Sequence, residues 1–195
     1  MRLAFKEKTS KNFRAALFLD RDGVINEDHG YVHRRENFDF RPGIFNLVSV
    51  ANRLGYLCII VTNQSGIGRG LYSLQEFREL SIWMCKQFEN NGAEIDAIYF
   101  SPYHPTEGQG KYLVDENTRK PAPGMFYEAV SDFDIDLCKS IMVGDNISDM
   151  KASVEAGVGR SYLLCSNPHP SDVEKLHTNI NIISSLSKIE PQLSK

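Results

Sequence analysis

The chain is poor in cysteine and tryptophan, with four of the first and one of the second in 195 residues. Cys58, Cys85, Cys138 and Cys165 stand far apart, with no Cys-x-x-Cys spacing. That argues against a zinc ribbon or a redox dithiol, and leaves buried or semi-buried free thiols in a reducing, cytoplasmic compartment. No apolar run is long enough to cross a bilayer, and Lys6, Lys8 and Lys11 lead into no apolar signal core. A basic excess is also missing. The 22 Lys and Arg residues against 25 Asp and Glu give a net charge of -3, which argues against a nucleic-acid partner. There is no internal repeat, low-complexity tract, linker or heptad seam. One domain over residues 1–195, with a core at about 15–165, and a monomer are therefore expected.

What is present is ordinary globular material, 42% hydrophobic and 24% charged, in a chain long enough for one α/β core. Strand and helix signals alternate. Apolar runs at 15–19, 56–61, 95–100, 140–143 and 161–165 read as strands. Between them, Ile44, Leu47, Val48, Ala51 and Leu54 share a helical face that Gly55 stops. Ser73-Leu74-Gln75-Glu76 fits a capping box before a helix carrying Phe77, Leu80, Met84 and Phe88 inward. Pro123 opens another helix, and 147–156 forms a helix ended by Gly157. The tail from Ser171 reads as a short helix, a strand near 180–183 and a last polar helix. The first 14 residues show no readable chemistry. Strands separated by helices predict a Rossmann-like three-layer α/β/α fold with a mainly parallel sheet. In such folds ligands sit beyond the carboxyl ends of the strands.

Chemistry-bearing residues cluster at those ends. Phe18-Leu19-Asp20-Arg21-Asp22-Gly23 delivers two acids two residues apart, on one side of an extended backbone, and Gly23 lets the chain turn away. Alone, Asp-x-Asp-Gly could equally be a strand cap and a solvated turn. Val61-Thr62-Asn63-Gln64-Ser65-Gly66 puts a hydroxyl, two amides and backbone donors after a buried strand, which suits phosphate oxygens. Gly66, Gly68 and Gly70 lack the G-x-G-x-x-G spacing of a dinucleotide loop; Thr62 to Gly70 reads as a Gly-rich loop, with Gly68 and Gly70 a flexible turn before the capped helix. Arg119-Lys120-Pro121 sets two cations beside a rigid turn. Gly144-Asp145-Asn146-x-x-Asp149 repeats the strand-then-carboxylate design; Asp145 is a metal-ligand candidate, and Asp149 either supports the site or caps a helix.

Asp-x-Asp, Thr, Lys and Gly-Asp-x-x-x-Asp in that order resemble the haloacid dehalogenase superfamily of phosphatases, over about residues 15–165. The resemblance implies Mg²⁺ and an aspartyl-phosphate intermediate. By it, Asp20 is the nucleophile and Asp22 the acid–base. Thr62 and Lys120 steady the phosphoryl oxygens, and Asp20, Asp145 and the Asp22 backbone carbonyl hold the metal. The stretches Asp22 to Val32 and Thr62 to Gly70 further resemble a subfamily whose members act on heptose bisphosphate or on histidinol phosphate. Asp28, His29, Gly30 and Tyr31, then Ser101 to Pro105, look closer to the heptose side. A small phosphorylated sugar used in bacterial surface-polysaccharide synthesis is thus implied, losing its 7-phosphate. The implied substrate contacts are Asp28, His29, Gly30, Tyr31, Thr62, Asn63, Gln64, Ser65, Arg119, Lys120 and Asn146. Arg119 suits a second phosphate, because guanidinium grips phosphate with two hydrogen bonds. Histidinol-phosphate hydrolysis, or a catalytically silent binding module on the same fold, are the alternatives.

One departure stands out. Many members of this subfamily hold structural zinc through Cys and His ligands in the loop before Arg-Lys-Pro. This chain has Ser101, Tyr103 and His104, then Asp115, Glu116, Asn117 and Thr118. No zinc is expected, and the loop must be ordered by its own packing or by substrate. No insertion large enough for a cap domain appears.

Overall fold

The computed structural model describes residues 1–5, 13–165 and 179–193. Its strands are β1 (Arg2–Ala4), β2 (Ala16–Leu19), β3 (Leu57–Asn63), β4 (Ala97–Ser101), β5 (Ile141–Gly144), β6 (Arg160–Leu164) and β7 (Ile180–Ile183). They form one seven-stranded sheet in the order β1-β4-β3-β2-β5-β6-β7. Every pairing is parallel except β1 with β4. Period-two alternation sends neighbouring residues to opposite faces. Leu17, Leu19, Cys58, Ile60, Phe100 and Val143 pack on one face. Phe18, Ile59, Val61, Tyr99 and Met142 pack on the other. Burial on both faces is why these strands read as continuous apolar runs.

The first face is covered by α1 (Ile44–Arg53) and α3 (Leu74–Asn90), the second by α4 (Gly124–Phe133) and α5 (Ile147–Ala156). The expected inward residues Phe77, Leu80, Met84 and Phe88 are all buried. The capping box at Ser73 is formed: its Oγ accepts from Glu76 N at 3.1 Å, and Ser73 N donates to Glu76 Oε2 at 2.7 Å. Gly157 ends α5 with φ of 88°, the left-handed region that glycine enters without strain. Among the described residues no inserted domain interrupts the chain, and no helix is long and apolar enough to cross a membrane.

Several expectations need correction. Residues 62–70 are not one loop: Thr62 and Asn63 finish β3, and Ser65–Gly68 forms a short helix, α2. Pro123 is the N-cap of α4 rather than its first helical residue. The opening residues carry an edge strand, with Leu3 opposite Ile98 and Phe100 N donating to Met1 O at 2.9 Å. The alternation Met1, Leu3, Phe5 was its signal, too short to stand out. Cys138 is exposed in the short 3-10 helix Leu137–Lys139, whereas Cys58 and Cys85 are buried. The last helix, α6 (Glu190–Leu193), has the polar sequence expected of it, and Leu193, with Leu186 and Ile189 just before the helix, is buried in the core that α1 also joins. The short helix expected after Ser171 lies outside the described residues.

Ser73→Ala removes one half of a formed capping box. It should lower unfolding free energy by about 1 kcal/mol, read as a fall in the urea midpoint at unchanged slope. An unmoved midpoint would show that the cap contributes nothing here.

Candidate active site

The sheet order makes β2 the branch point. The chain runs outward through β3 and β4, then returns so that β5 lies on the other side of β2. Open α/β sheets hold their ligand crevice at such a reversal. Asp20 follows β2 and Asp145 follows β5, and Asp20 N donates to Val143 O at 3.0 Å. The two carboxylates therefore leave adjacent strand ends. Gly23 has φ of +84°, and a Cβ there would stand 1.9 Å from Asp145 Oδ2. Only glycine lets the turn after Asp22 pass so close to that carboxylate.

The carboxylate oxygens of Asp20, Asp145 and Asp149 come within 4.8 Å of one another. Lys120 Nζ sits among them, 3.0 Å from Asp20 Oδ1 and 2.5 Å from Asp149 Oδ1, and donates to Val61 O at 2.8 Å. The ammonium thus faces two carboxylates and one carbonyl. Burial is the strongest influence on this ammonium and works to lower its pKa, but Asp149 and Asp20 together outweigh it and hold it above the ordinary value. Burial pushes Asp20 up to about 8, against the pull of Lys120 and with Asp149, Asp145 and Asp22 adding to it. Burial and Asp149 push Asp145 up to about 6. These are carboxylates short of positive charge. Their all-oxygen donor set suits a hard divalent cation. Asp149 does both jobs foreseen for it. Oδ1 meets Lys120, while Oδ2 accepts from Asn146 N at 3.0 Å in the capping box that starts α5. With both its oxygens so engaged, Asp20 and Asp145 have the freer ones.

Asp22 stands apart from that cluster. Its carboxylate accepts from Arg21, from Asn26 Nδ2 at 3.0 Å and from Gln64 Nε2 at 3.0 Å. A metal role for Asp22 therefore rests on its backbone carbonyl, not its side chain. Gln64 is buried. It also donates to Thr62 Oγ1 at 3.0 Å and accepts from Tyr72 OH at 2.6 Å, so its amide is spent inside the protein rather than on a substrate. Thr62 Oγ1 accepts that bond and keeps its own proton to donate. Asn63 pairs twice with the backbone of Lys120, Nδ2 to O at 2.9 Å and Oδ1 from N at 3.0 Å. It holds Lys120 in place instead of facing outward. Arg21, Asn26 and Tyr72 were missed by the sequence reading. The one available signal was parity, which turns Arg21 away from the side that Asp20 and Asp22 share.

The remaining candidates ring the strand tips. Asp28, His29, Gly30 and Tyr31 are exposed. Gly30 N donates to Asp28 Oδ1 at 2.9 Å, and His29 Nε2 pairs with Asp39 Oδ2 at 2.8 Å. Tyr31, with φ of 51°, hydrogen-bonds through its hydroxyl to Arg69 Nη1, and the Arg69 guanidinium lies 5.2 Å from its ring centroid. Arg119 Nη1 donates to Tyr103 O at 3.1 Å, and burial lowers its pKa while the charges of Tyr31 and Asp115 oppose that. Ser65 opens α2, and Asn146 is exposed with Oδ1 capping Ser148 N at 3.1 Å.

The loop before Arg119 is ordered by its own groups. His104 Nδ1 accepts from Glu107 N at 3.1 Å, and His104 N donates to Tyr112 O at 3.0 Å. Gln109 N donates to Gly68 O at 2.8 Å, tying the loop to α2. A Cβ on Gly68 would stand 2.2 Å from Pro102 O.

The fold and this constellation of strand-end carboxylates, threonine and buried lysine define a haloacid-dehalogenase-type hydrolase. A family model described as HAD-hydrolase-like matches residues 117–188. A heptose-1,7-bisphosphate 7-phosphatase of α-anomer name from Burkholderia mallei is 55% identical over 150 residues, 77% of this chain and 79% of that protein. One of β-anomer name from Vibrio cholerae is 48% identical over 77% of this chain and 81% of its own length. The crystal structure of a D,D-heptose 1,7-bisphosphate phosphatase from B. bronchiseptica, complexed with magnesium and phosphate, has a TM-score of 0.80. It is 26% identical, with 92% of this chain and 98% of that one covered. The chain belongs to the D-glycero-D-manno-heptose-1,7-bisphosphate 7-phosphatase family of haloacid-dehalogenase-like hydrolases.

Two outcomes follow from this geometry. Gly23→Ala forces Asp145 aside and should cut turnover by about 10²-fold, the usual cost of displacing a reacting group by 1 Å. Steady-state rates on a folded variant, verified by circular dichroism, measure it, and a wild-type rate would refute the close approach. A protonated carboxyl cannot ligate a cation. Affinity for Mg²⁺ should therefore rise with pH through about 6, where Asp145 ionises, and again through about 8, where Asp20 does. Titration calorimetry across that range reads it, and a flat profile would contradict the raised values.

Proposed function

We propose that this chain hydrolyses the 7-phosphate of D-glycero-D-manno-heptose 1,7-bisphosphate through an aspartyl-phosphate on Asp20. The reading is carried by one observation: Lys120 lies 3.0 Å from an Asp20 carboxylate held beside Asp145 at the branch point of the sheet. The kinship with heptose bisphosphate phosphatases supplies the substrate. Asp20 Oδ attacks phosphorus in line, and the bond to the sugar oxygen breaks. Asp22 gives its proton to that departing oxygen. It then takes a proton from the water whose oxygen attacks the aspartyl-phosphate, releasing inorganic phosphate and restoring both carboxyl groups. Thr62 and Lys120 donate to the equatorial oxygens, where charge builds. Asp20, Asp145 and the Asp22 backbone carbonyl would hold Mg²⁺, which supplies screening between the carboxylate and the phosphate. Asp149 keeps Lys120 charged and aimed.

The Tyr31–Arg69 pair and Arg119 form the recognition side. Arg119 clamps the second phosphate through its guanidinium fork, and the same positive charge disfavours the aminium of histidinol phosphate. The enzyme would work in the cytoplasm on a small sugar, supplying surface-polysaccharide synthesis.

Released phosphate, measured colorimetrically with and without Mg²⁺, tests this on the α and β anomers of the heptose bisphosphate, fructose 1,6-bisphosphate and histidinol phosphate. A heptose bisphosphate should be turned over best, with one phosphate released per molecule. Asp20→Asn should abolish turnover while the chain stays folded. Full activity in that variant sinks the mechanism, and preference for histidinol phosphate sinks the substrate assignment.

A further inference from the structure

Arg21 is the charged residue near the site that the reaction above leaves without a task. It is 2% exposed, between two aspartates in sequence but turned away from the one that follows β2. A guanidinium taken out of water must have its donors satisfied. Arg21 Nη2 donates to both oxygens of Asp22 at 2.8 Å, and Nε reaches both at 3.2 Å. Nη2 also donates to Val32 O at 2.6 Å, and the guanidinium carbon lies 5.8 Å from the centroid of Phe77. The second clamp on Asp22 is Gln64, whose own orientation is set by Thr62 and by Tyr72. Tyr72 in turn stacks on His33 at 5.1 Å between ring centroids. Asp22 is thus gripped by donors from separate segments and still keeps 22% of its side chain open.

A proton donor works only within about 2.6–3.2 Å of the oxygen it serves. An aspartate has two side-chain torsions, and left alone it samples many directions. Nη2 and Nε each lie at one distance from both carboxylate oxygens, so the carboxyl group stands across the edge of the guanidinium, centred on two donors at once, where a single ammonium offers only one point. Val32 O links that guanidinium to the 28–33 loop at the mouth.

We propose that Arg21, seconded by Gln64, is a positioning residue for proton transfer: it fixes the direction in which Asp22 meets the departing and attacking oxygens and ties that direction to the 28–33 loop. The inference rests on Asp22 being the acid–base, and its test separates the two ideas.

The test uses leaving groups. p-Nitrophenolate departs without needing a proton, whereas a sugar alkoxide needs one. kcat/KM is measured for p-nitrophenyl phosphate and for the sugar bisphosphate turned over best in the panel above. The proteins are the Mg²⁺-loaded full chain and its Asp22→Asn, Arg21→Lys and Gln64→Met variants. Taking both rates on one sample cancels any loss of folded protein. Asp22→Asn should lose about 10²–10⁴-fold on the sugar phosphate and far less on the aryl phosphate, as removal of general-acid catalysis does. Arg21→Lys should lose roughly 10-fold or more on the sugar phosphate and under about 3-fold on the aryl one, a fraction of that same catalysis. Gln64→Met should show the same imbalance more weakly, and it carries the test should Arg21→Lys fold poorly. The double variant Arg21→Lys/Asp22→Asn should be no slower on the sugar phosphate than Asp22→Asn alone, because the arginine acts through the aspartate. Equal losses on both substrates in Arg21→Lys and Gln64→Met, beside a discriminating Asp22→Asn, overturn the positioning role. An Asp22→Asn variant without discrimination overturns the acid–base reading beneath it.

Discussion

A single buried ammonium holds this site together. Lys120 Nζ touches a carboxylate just after β2, another from α5 and a carbonyl from β3, so one charge ties together three segments far apart in sequence. Removing water from three neighbouring carboxylates is costly unless positive charge replaces it. Lys120 supplies part of that charge, and the raised values of Asp20 and Asp145 show that one ammonium does not suffice. The remaining deficit is what the proposed divalent cation would fill. Bare, the site carries a surplus of buried negative charge, the kind of cost to stability that functional sites accept.

Around that charge the backbone is placed by hydrogen bonds rather than by side-chain bulk. Asn63 holds Lys120 at both its N–H and its carbonyl. Asn146 and Asp149 cap α5 reciprocally, which turns a carboxylate of the helix's first turn back toward the strand tip. Gly23 lets the chain cross Asp145. Each of these is a local device of a few atoms, and together they fix the separation of groups that must act on one phosphorus. The loop from residue 102 to 118 follows the same rule. Main-chain bonds around His104 and Tyr112, and the Gln109 link to α2, give it a shape without thiolate ligands.

Much of the molecule was legible because its signals are local and periodic. Continuous apolar runs marked β2 to β6 because strands covered on both faces leave no polar side. Ser73 and Gly157 marked helix ends through the chemistry of unpaired backbone groups. The edge strand β1 was not legible, since three residues offer too short an alternation and the pairing partner lies almost a hundred residues away. The burial of Gln64 and the backbone pairing of Asn63 were hidden as well. An amide after a strand looks the same in sequence whether it faces a ligand, a carboxylate or a neighbouring backbone.

The sequence by itself determined the alternation of strands and helices, the acids at two strand ends, and the order of Asp20, Thr62, Lys120 and Asp145 by which the family is recognised. These depend on residue type and short spacing, which the chain states directly. Tertiary structure alone decided who pairs with whom. It gave Asp149 to Lys120, gave Arg21 and Gln64 to Asp22, and set Tyr31 against Arg69. Such partnerships depend on which strand lies beside which, and on how far each loop must travel to close a donor or an acceptor left without water.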